Sequence, residues 1–449
     1  MYIDFLLKVF QENPDNDAIV WRDEIVSYAW MLKAVQSWRE KLTSLAPGTV
    51  VSLEADFSPN AIALMLALIE HRCIIVPLST SVEVKKPEFR EIAQVEAIVR
   101  IGDSDEVQIE KTPTPITHEL LLKLKYNERP GLILFSSGST GKSKATVHDF
   151  VPLLDKYKVP RRFLRTITFL LFDHIGGINT LFYSLSNAGC IVTISDRAPD
   201  AVCKVIETYR VELLPTSPTF INLLLLSEAY KRYNLSSLQL VTYGTEVMPE
   251  STLTKFHELF PHIRLQQTYG LSEIGIMRSK SKSSNSLWMQ IGGEGFETRI
   301  IDGLLEIKAK SAMLGYINAP NPFTEDGWFK TGDAVEVDGD YIHILGRQSE
   351  IINVGGEKVY PAEVESVLQL MPGVDEVAIN AESNPITGQI VKAKVKLSTG
   401  ETVGEFRKRM WSFCQDKLPK FKTPQKVELV RDWMHSNRFK KMRRDIEKS

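Results

Sequence analysis

Residues 132–144 read Leu132-Ile133-Leu134-Phe135-Ser136-Ser137-Gly138-Ser139-Thr140-Gly141-Lys142-Ser143-Lys144. A short apolar run, the signature of a buried strand, opens into a loop of small and hydroxyl residues ending in two lysines. Small residues let backbone N–H groups and hydroxyls close in on phosphate oxygens, and lysine adds positive charge. Gly141-Lys142-Ser143 fits the end of a Walker A loop, but that motif requires glycine where Ser136 stands. A flexible Ser/Gly linker is the other reading, and it needs neither a preceding strand nor two lysines.

Upstream of this loop, Ala61–Glu70 reads as a buried helix and Cys73–Leu78 as the strand after it. Downstream, Ile167–Leu171, Cys190–Ile194 and Val211–Leu214 repeat the strand signal, with helical patterns between them. Strands alternating with helices predict a large N-terminal α/β domain of layered, largely parallel sheets. Ser279–Ser286 reads as a polar loop. From about Leu304 the pattern turns to short strands, with a hairpin signal at Val337-Asp338-Gly339-Asp340. After Arg347 a smaller α+β unit follows, with a helix from Pro361 to Leu370 and a strand from Val391 to Leu397. The expected domains are 1–348 and 349–449.

The 449 residues have 43% hydrophobic and 24% charged side chains, the balance of an ordinary globular chain. The net charge of −2 is unevenly spread. Lysines and arginines crowd the last 33 residues, which suits a polyanionic ligand or a plain solvated surface. Cys73, Cys190, Cys203 and Cys414 form no C-x-x-C pair and sit at no metal-ligand spacing, so free thiols in a reducing cytoplasm are expected. No stretch approaches the length of a membrane span, and no leader pattern opens the chain.

Further segments follow in order: Leu171-Phe172-Asp173-His174-Ile175-Gly176-Gly177, Tyr243-Gly244-Thr245-Glu246, Tyr269-Gly270-Leu271-Ser272-Glu273, Trp328-Phe329-Lys330-Thr331-Gly332-Asp333, Gly346-Arg347, the run from Ile351 to Glu365 containing Gly355-Gly356, and Ser436-Asn437-Arg438-Phe439-Lys440 with Arg443 and Arg444. A glutamate suits Mg²⁺ as a hard oxygen ligand, an aromatic face suits a base, and one carboxylate accepts from both hydroxyls of a cis-diol. Taken singly, these fragments are also ordinary turns, an exposed glutamate and a satisfied core histidine.

Together they resemble the adenylate-forming enzymes, the superfamily of acyl- and aryl-CoA synthetases, peptide-synthetase adenylation domains and firefly luciferase. His174 stands fifteen residues before Gly189, the offset of the acyl- and aryl-CoA ligase branch. The resemblance implies a nucleotide site of Ser136, Ser137, Gly138, Ser139, Thr140, Gly141, Lys144, Tyr269, Gly270, Asp333 and Arg347. Lys440, Ser272 and Glu273 take the catalytic positions, with Glu273 and Thr140 at Mg²⁺. His174, Gly176, Tyr243, Gly244 and Thr245 line the acyl pocket. Gly355 and Gly356 border the thiol channel, and Ser349 stands at the hinge, where relatives carry aspartate or lysine. Ser143 and Ala145 depart from the family's proline and glycine, and Phe439 replaces a glycine.

The implied activity is ATP-dependent conversion of a small carboxylic acid to its acyl-AMP, then transfer to the thiol of coenzyme A or of a carrier protein's phosphopantetheine. No nucleic-acid partner and no membrane span are expected. Two readings of the same motifs remain, an amino-acid adenylation enzyme in which Asp173 pairs with the substrate ammonium, and a degenerate adenylate-binding protein. A P-loop NTPase accounts for the glycine-rich loop alone.

Overall fold

The computed structural model describes residues 1–137, 143–432, 435, 436, 439, 441 and 442. Two seven-stranded sheets dominate it. The first runs Arg264–Gln267, Leu240–Tyr243, Leu213–Thr216, Arg165–Ile167, Cys190–Val192, Asp17–Trp21, Glu24–Ser27, parallel except at its last pair. The second runs Gly315–Tyr316, Ser143–Asp149, Gly131–Ser137, Ile74–Leu78, Val50–Glu54, Ala97–Ile101, Val107–Lys111, with a parallel centre and antiparallel edges. The layered, largely parallel α/β architecture read from the sequence is the one present.

The helix Pro59–Glu70 shows why the sheets stack. Ser58 caps it, accepting from the Ala61 N–H at 3.2 Å, and proline stands at its first turn. Its residues 61–69 are buried all round, which marks a helix enclosed on every side. It packs with Leu132 and Leu134 of one sheet and Ile19 and Ile191 of the other in a single core. The alternate residues Ile133 and Phe135 face a separate core with Leu121 and Leu124, as a period of two requires. An ionised side chain at Leu66 would break this layer, having no polar partner to meet it.

A six-stranded antiparallel sheet follows, with Phe329–Asp338 and Tyr341–Arg347 forming the hairpin expected at Gly339. The segment Ser279–Ser286 is not all loop: Arg278–Ser281 is an edge strand. Its serines tie it to the neighbouring chain, Ser279 Oγ donating to the Gln267 carbonyl and Ser281 Oγ accepting the Gln267 N–H. Polar composition here reflects an edge, where strands carry polar residues.

A smaller C-terminal sheet has its own core of Ile352, Val364, Leu368, Ile379, Val395, Phe406 and Met410. The helix Val403–Cys414 starts in a capping box, Thr402 and Glu405 satisfying each other's backbone N–H. The small unit meets the large one where Ser251 N–H donates to Ser366 Oγ at 3.3 Å and Ser217 Oγ donates to the Phe439 carbonyl at 2.7 Å.

All four cysteines are free and buried, and burial pushes the thiol of Cys73 up to about 12 and that of Cys414 up to about 11. No helix among the described residues is long and apolar enough to cross a membrane.

Candidate functional site

The glycine-rich loop joins Gly131–Ser137 to Ser143–Asp149, an antiparallel pair in which Ser137 lies opposite Ser143. A Walker A loop opens a helix. This loop closes a hairpin, so the P-loop NTPase reading fails on topology. Gly138, Ser139, Thr140 and Gly141 lie outside the described residues, as do Lys440, Arg443 and Arg444. The loop's base is described. Ser136 pairs across to Lys144, and Asn318 pins the return strand, accepting the Ala145 N–H and donating to the Ser143 carbonyl, both at 2.9 Å.

Around that base the separate motifs converge. The Lys144 ammonium lies over the Tyr316 ring, 5.1 Å from its centre. The Tyr316 hydroxyl donates to Glu273 Oε1 at 2.6 Å. Glu273 and Arg347 both act electrostatically on the Tyr316 phenol, which burial and Glu273 raise well above its ordinary value. Beside them the Tyr269 hydroxyl donates to Asp333 Oδ2, Arg347 Nε stands 2.8 Å from Asp333 Oδ1, and Arg347 Nη1 donates to the Thr331 carbonyl at 2.8 Å. Burial pushes the Asp333 carboxyl up, against the opposing pull of Arg347 and Tyr269. Each oxygen keeps a lone pair, so this carboxylate can still accept from a diol. Tyr269, Glu273, Asp333, Arg347 and Lys144 therefore form one cluster, although more than 200 residues separate the first from the last in sequence.

Ser272 is held from behind. The buried His148 ring donates from Nε2 to the Ser272 carbonyl at 2.6 Å, and desolvation lowers the His148 pKa to about 4, so the ring is neutral near pH 7.

A channel of about 580 Å³ opens next to this cluster and is lined by His174, Gly176, Gly244, Thr245 and Gly270, five of the expected site residues. His174 also caps the helix Ile175–Leu185, its Nδ1 accepting the Gly176 N–H at 3.1 Å. Thr245 holds a φ of +74°, a left-handed conformation rare for a β-branched residue and concentrated at functional sites.

One expectation for this pocket needs correction. Tyr243 is 1% exposed and belongs to the core on the opposite face of its strand, with Val241 and Phe220. Thr242 and Gly244 face the channel, so alternation turns Tyr243 away. Gly244 lines the channel as expected, and a Cβ there would lie 2.7 Å from Thr268 Oγ1. Glycine is needed at that point for close strand packing.

Asp173 does not line the channel. It is buried, and its Oδ2 accepts from Ser79 Oγ at 2.9 Å. Gly355 and Gly356 are exposed, with φ of +61° and +96°, and Ser349 is an exposed residue of the turn Gln348–Glu350. None of the three lines the channel, but Ser349 follows Arg347 by two residues and precedes Glu350, which acts electrostatically on Asp333. A recess of about 1710 Å³ lies elsewhere and contains none of the expected site residues.

Two residues of the cluster's surroundings escaped the sequence reading. Tyr316 and His148 sit in strands with no local signal, and only their contacts give them meaning. Glu246 accepts both the Thr219 and Lys441 N–H groups at 3.0 Å, so it anchors the C-terminal tail. Phe439, at a φ of +51°, fills a space between Phe169 and Phe220.

No group of three or more metal-ligating side chains occurs among the described residues. The lone carboxylate of Glu273 fits Mg²⁺ all the same, since that ion keeps waters and takes phosphate oxygens beside one or two carboxylates.

Comparison with known proteins gives the family and the fold. A family described as AMP-binding enzyme matches residues 6–292, and its C-terminal domain matches residues 363–440. The chain is 25% identical to indoleacetate–CoA ligase of Aromatoleum aromaticum, covering 96% of this chain and 94% of that one. Among solved structures it resembles ATP-bound MatB of Rhodopseudomonas palustris, with a TM-score of 0.80 at 22% identity over 98% of this chain and 97% of that one. The anthranilate CoA ligase AuaEII in complex with anthranoyl-AMP is similar, with a TM-score of 0.80 at 18% identity over 98% of this chain and 95% of that one. At these identities the likeness to the two structures is one of fold.

Proposed function

From the premise that the chain belongs to the AMP-binding enzyme family, we propose that it joins a small carboxylic acid to the thiol of coenzyme A through an acyl-adenylate, consuming ATP. A carboxylate oxygen attacks the α-phosphorus, the bond to the β-phosphate oxygen breaks, and pyrophosphate leaves with the electron pair. In the second step the thiol sulfur attacks the acyl carbon, and AMP leaves.

The observation that carries this reading is the cluster of Tyr269, Asp333 and Arg347 beside Glu273 and Lys144 at the mouth of the 580 Å³ channel. In it Asp333 accepts from the ribose hydroxyls, and Arg347 keeps that carboxylate ionised and oriented. Tyr269 and Gly270 border the base. Ser136, Ser137, Lys144 and the loop residues Gly138 to Gly141 cradle the phosphates, and Ser272 faces the α-phosphate and the acid carboxylate. Glu273 and Thr140 would hold Mg²⁺, which would supply charge neutralisation to the phosphates. Lys440 supplies a cation to the charge that develops at the α-phosphorus. His174, Gly176 and Thr245 border the acyl group.

Residues 1–348 carry this site, and residues 349–449 act as a lid that pivots at Ser349. The exposed Gly355-Gly356 pair borders the thiol path once the lid has turned, its positive φ values reserving both positions for glycine. The free acid is favoured over an amino acid because Asp173, the one acid offered for an ammonium, is engaged by Ser79. Free coenzyme A is favoured over a carrier protein because the relative covered over nearly its whole length is a CoA ligase.

Acid-dependent ATP–pyrophosphate exchange, followed by acyl-CoA formation, tests the reading. ATP binding without exchange for any acid would instead support a degenerate adenylate-binding protein. Loading of a pantetheinylated carrier with none of free coenzyme A would replace the acceptor.

A further inference from the structure

The channel beside the nucleotide cluster has a direction. Its wall is the face of three parallel strands, contributed by Pro215, Thr242, Gly244, Gln266 and Thr268. The near end is Gly244 and Thr268, next to the adenylate motif, and the far end is Leu240 and Arg264. Four residues of strand separate the ends, or about 13 Å at about 3.3 Å per residue. The opposite wall is the helix Ile175–Leu185. From Gly176 at the near end to Tyr183 at the far end it rises about 10 Å, at 1.5 Å per residue.

Lys156, Arg161 and Arg264 line this channel together with two acids, Asp155 and the exposed Glu294, and the Lys156 ammonium lies over the Tyr157 ring, 4.9 Å from its centre. Lys156 lines its middle, with Nζ donating to Asn179 Oδ1 at 2.6 Å and to the Ile276 carbonyl at 2.9 Å. Both acceptors are neutral, and an ammonium carries three hydrogens. Arg161 and Arg264 line the channel further out, and both act electrostatically on the Tyr183 hydroxyl at the far end. None of these three cations lies within ion-pair distance of a carboxylate among the described residues, and Asp155, the acid nearest in sequence, is taken by Lys158 at 2.7 Å. Burial and the nearby Arg161 together push the Lys156 ammonium down to about 7. Arg161 and Arg264 are exposed at the outer end and bear no such burden, but Lys156 is half-buried without a carboxylate in ion-pair reach, and desolvating a cation in that way is costly. An anion in the channel relieves that cost.

On the reading of this channel as the acyl pocket, we infer that the acid activated here carries a second anionic group, which lies along the channel and pairs with Lys156, Arg161 and Arg264. A carboxylate at the end of an elongated skeleton fits the length and the charge. The reacting carboxylate stays at Gly244 and Gly270, and the second one is drawn to the far end.

ATP–pyrophosphate exchange with matched acids tests this: adipate, suberate and sebacate against hexanoate, octanoate and decanoate. The diacid of the favoured length is expected to exceed its monoacid in kcat/KM about 10–100-fold, the worth of a charge-assisted hydrogen bond. In Lys156→Met and Arg264→Gln that ratio is expected to collapse about tenfold or more, chiefly through KM for the diacid. Calorimetric ATP binding identifies variants that have kept their fold. A monoacid preference in the unmodified protein, or equal losses for both acids in the folded variants, overturns the inference while leaving the ligase reading intact. Absence of exchange with every acid, these and an aromatic panel included, overturns the ligase reading itself.

Discussion

The Tyr269 hydroxyl donates to Asp333 Oδ2, joining two motifs that stand 64 residues apart. The bond orients a buried carboxylate whose other oxygen faces Arg347, so the carboxylate's geometry is fixed from both sides.

Asp333→Ala should weaken ATP binding by about 1.5–3 kcal/mol, the loss of a charged acceptor, or roughly 10–100-fold in Kd. Tyr269→Phe should cost less, because it removes only the orienting bond. Isothermal calorimetry measures both. Unchanged affinity in folded Asp333→Ala removes the residue from the nucleotide site.

Lys440 and Lys441 are adjacent in sequence and should behave differently. Lys440→Ala should reduce acid-dependent pyrophosphate exchange by about 10²–10³-fold, the worth of one group stabilising the transition state, while thiol transfer from a synthetic acyl-adenylate persists. Full exchange in this variant refutes the assignment.

Lys441 instead pairs with Glu365 at 3.0 Å, and Glu365 is almost wholly buried. Lys441→Ala should therefore destabilise the protein by about 1–3 kcal/mol, less than a fully stranded buried charge costs, because Glu365 Oε1 still accepts the Ile379 N–H at 3.0 Å. Adding Glu365→Gln should recover part of the loss in urea unfolding. Simple additivity of the two changes would show that the pair contributes nothing.

His148 gives the protein a pH dependence of defined sign. Its folded pKa, about 4, lies below the unfolded value of 6.5, so the unfolded chain binds the proton first. Stability from this group is complete above pH 6.5 and is lost as pH falls toward 4, a change of about 3 kcal/mol. His148→Gln should flatten that part of the stability–pH curve. An unchanged slope in the variant places the dependence elsewhere.

The corrected orientation of Tyr243 is testable through acid selectivity. Tyr243→Phe keeps the core volume and should leave the ranking of acids in pyrophosphate exchange as it was. Thr242→Tyr, on the channel face of the same strand, should shift the ranking toward shorter acids. A ranking moved by Tyr243→Phe would return that residue to the pocket.

The sequence by itself determined the layered α/β class, the later switch to short antiparallel strands and the succession of nucleotide-binding motifs. Those signals are local: a helix apolar on all sides at residues 61–69, alternation along residues 132–135, and short motifs of characteristic residue types. The tertiary structure alone decided which face each motif residue presents and what it meets. Alternation about Gly244 sends Tyr243 into a core, and the antiparallel return of Ser143–Asp149 excludes a Walker loop. Tyr316, His148 and Lys156 acquire their partners from a turn and a helix up to 124 residues away. A side chain's local pattern is set by its own strand or helix, whereas its charge environment is set by whatever the chain packs against it.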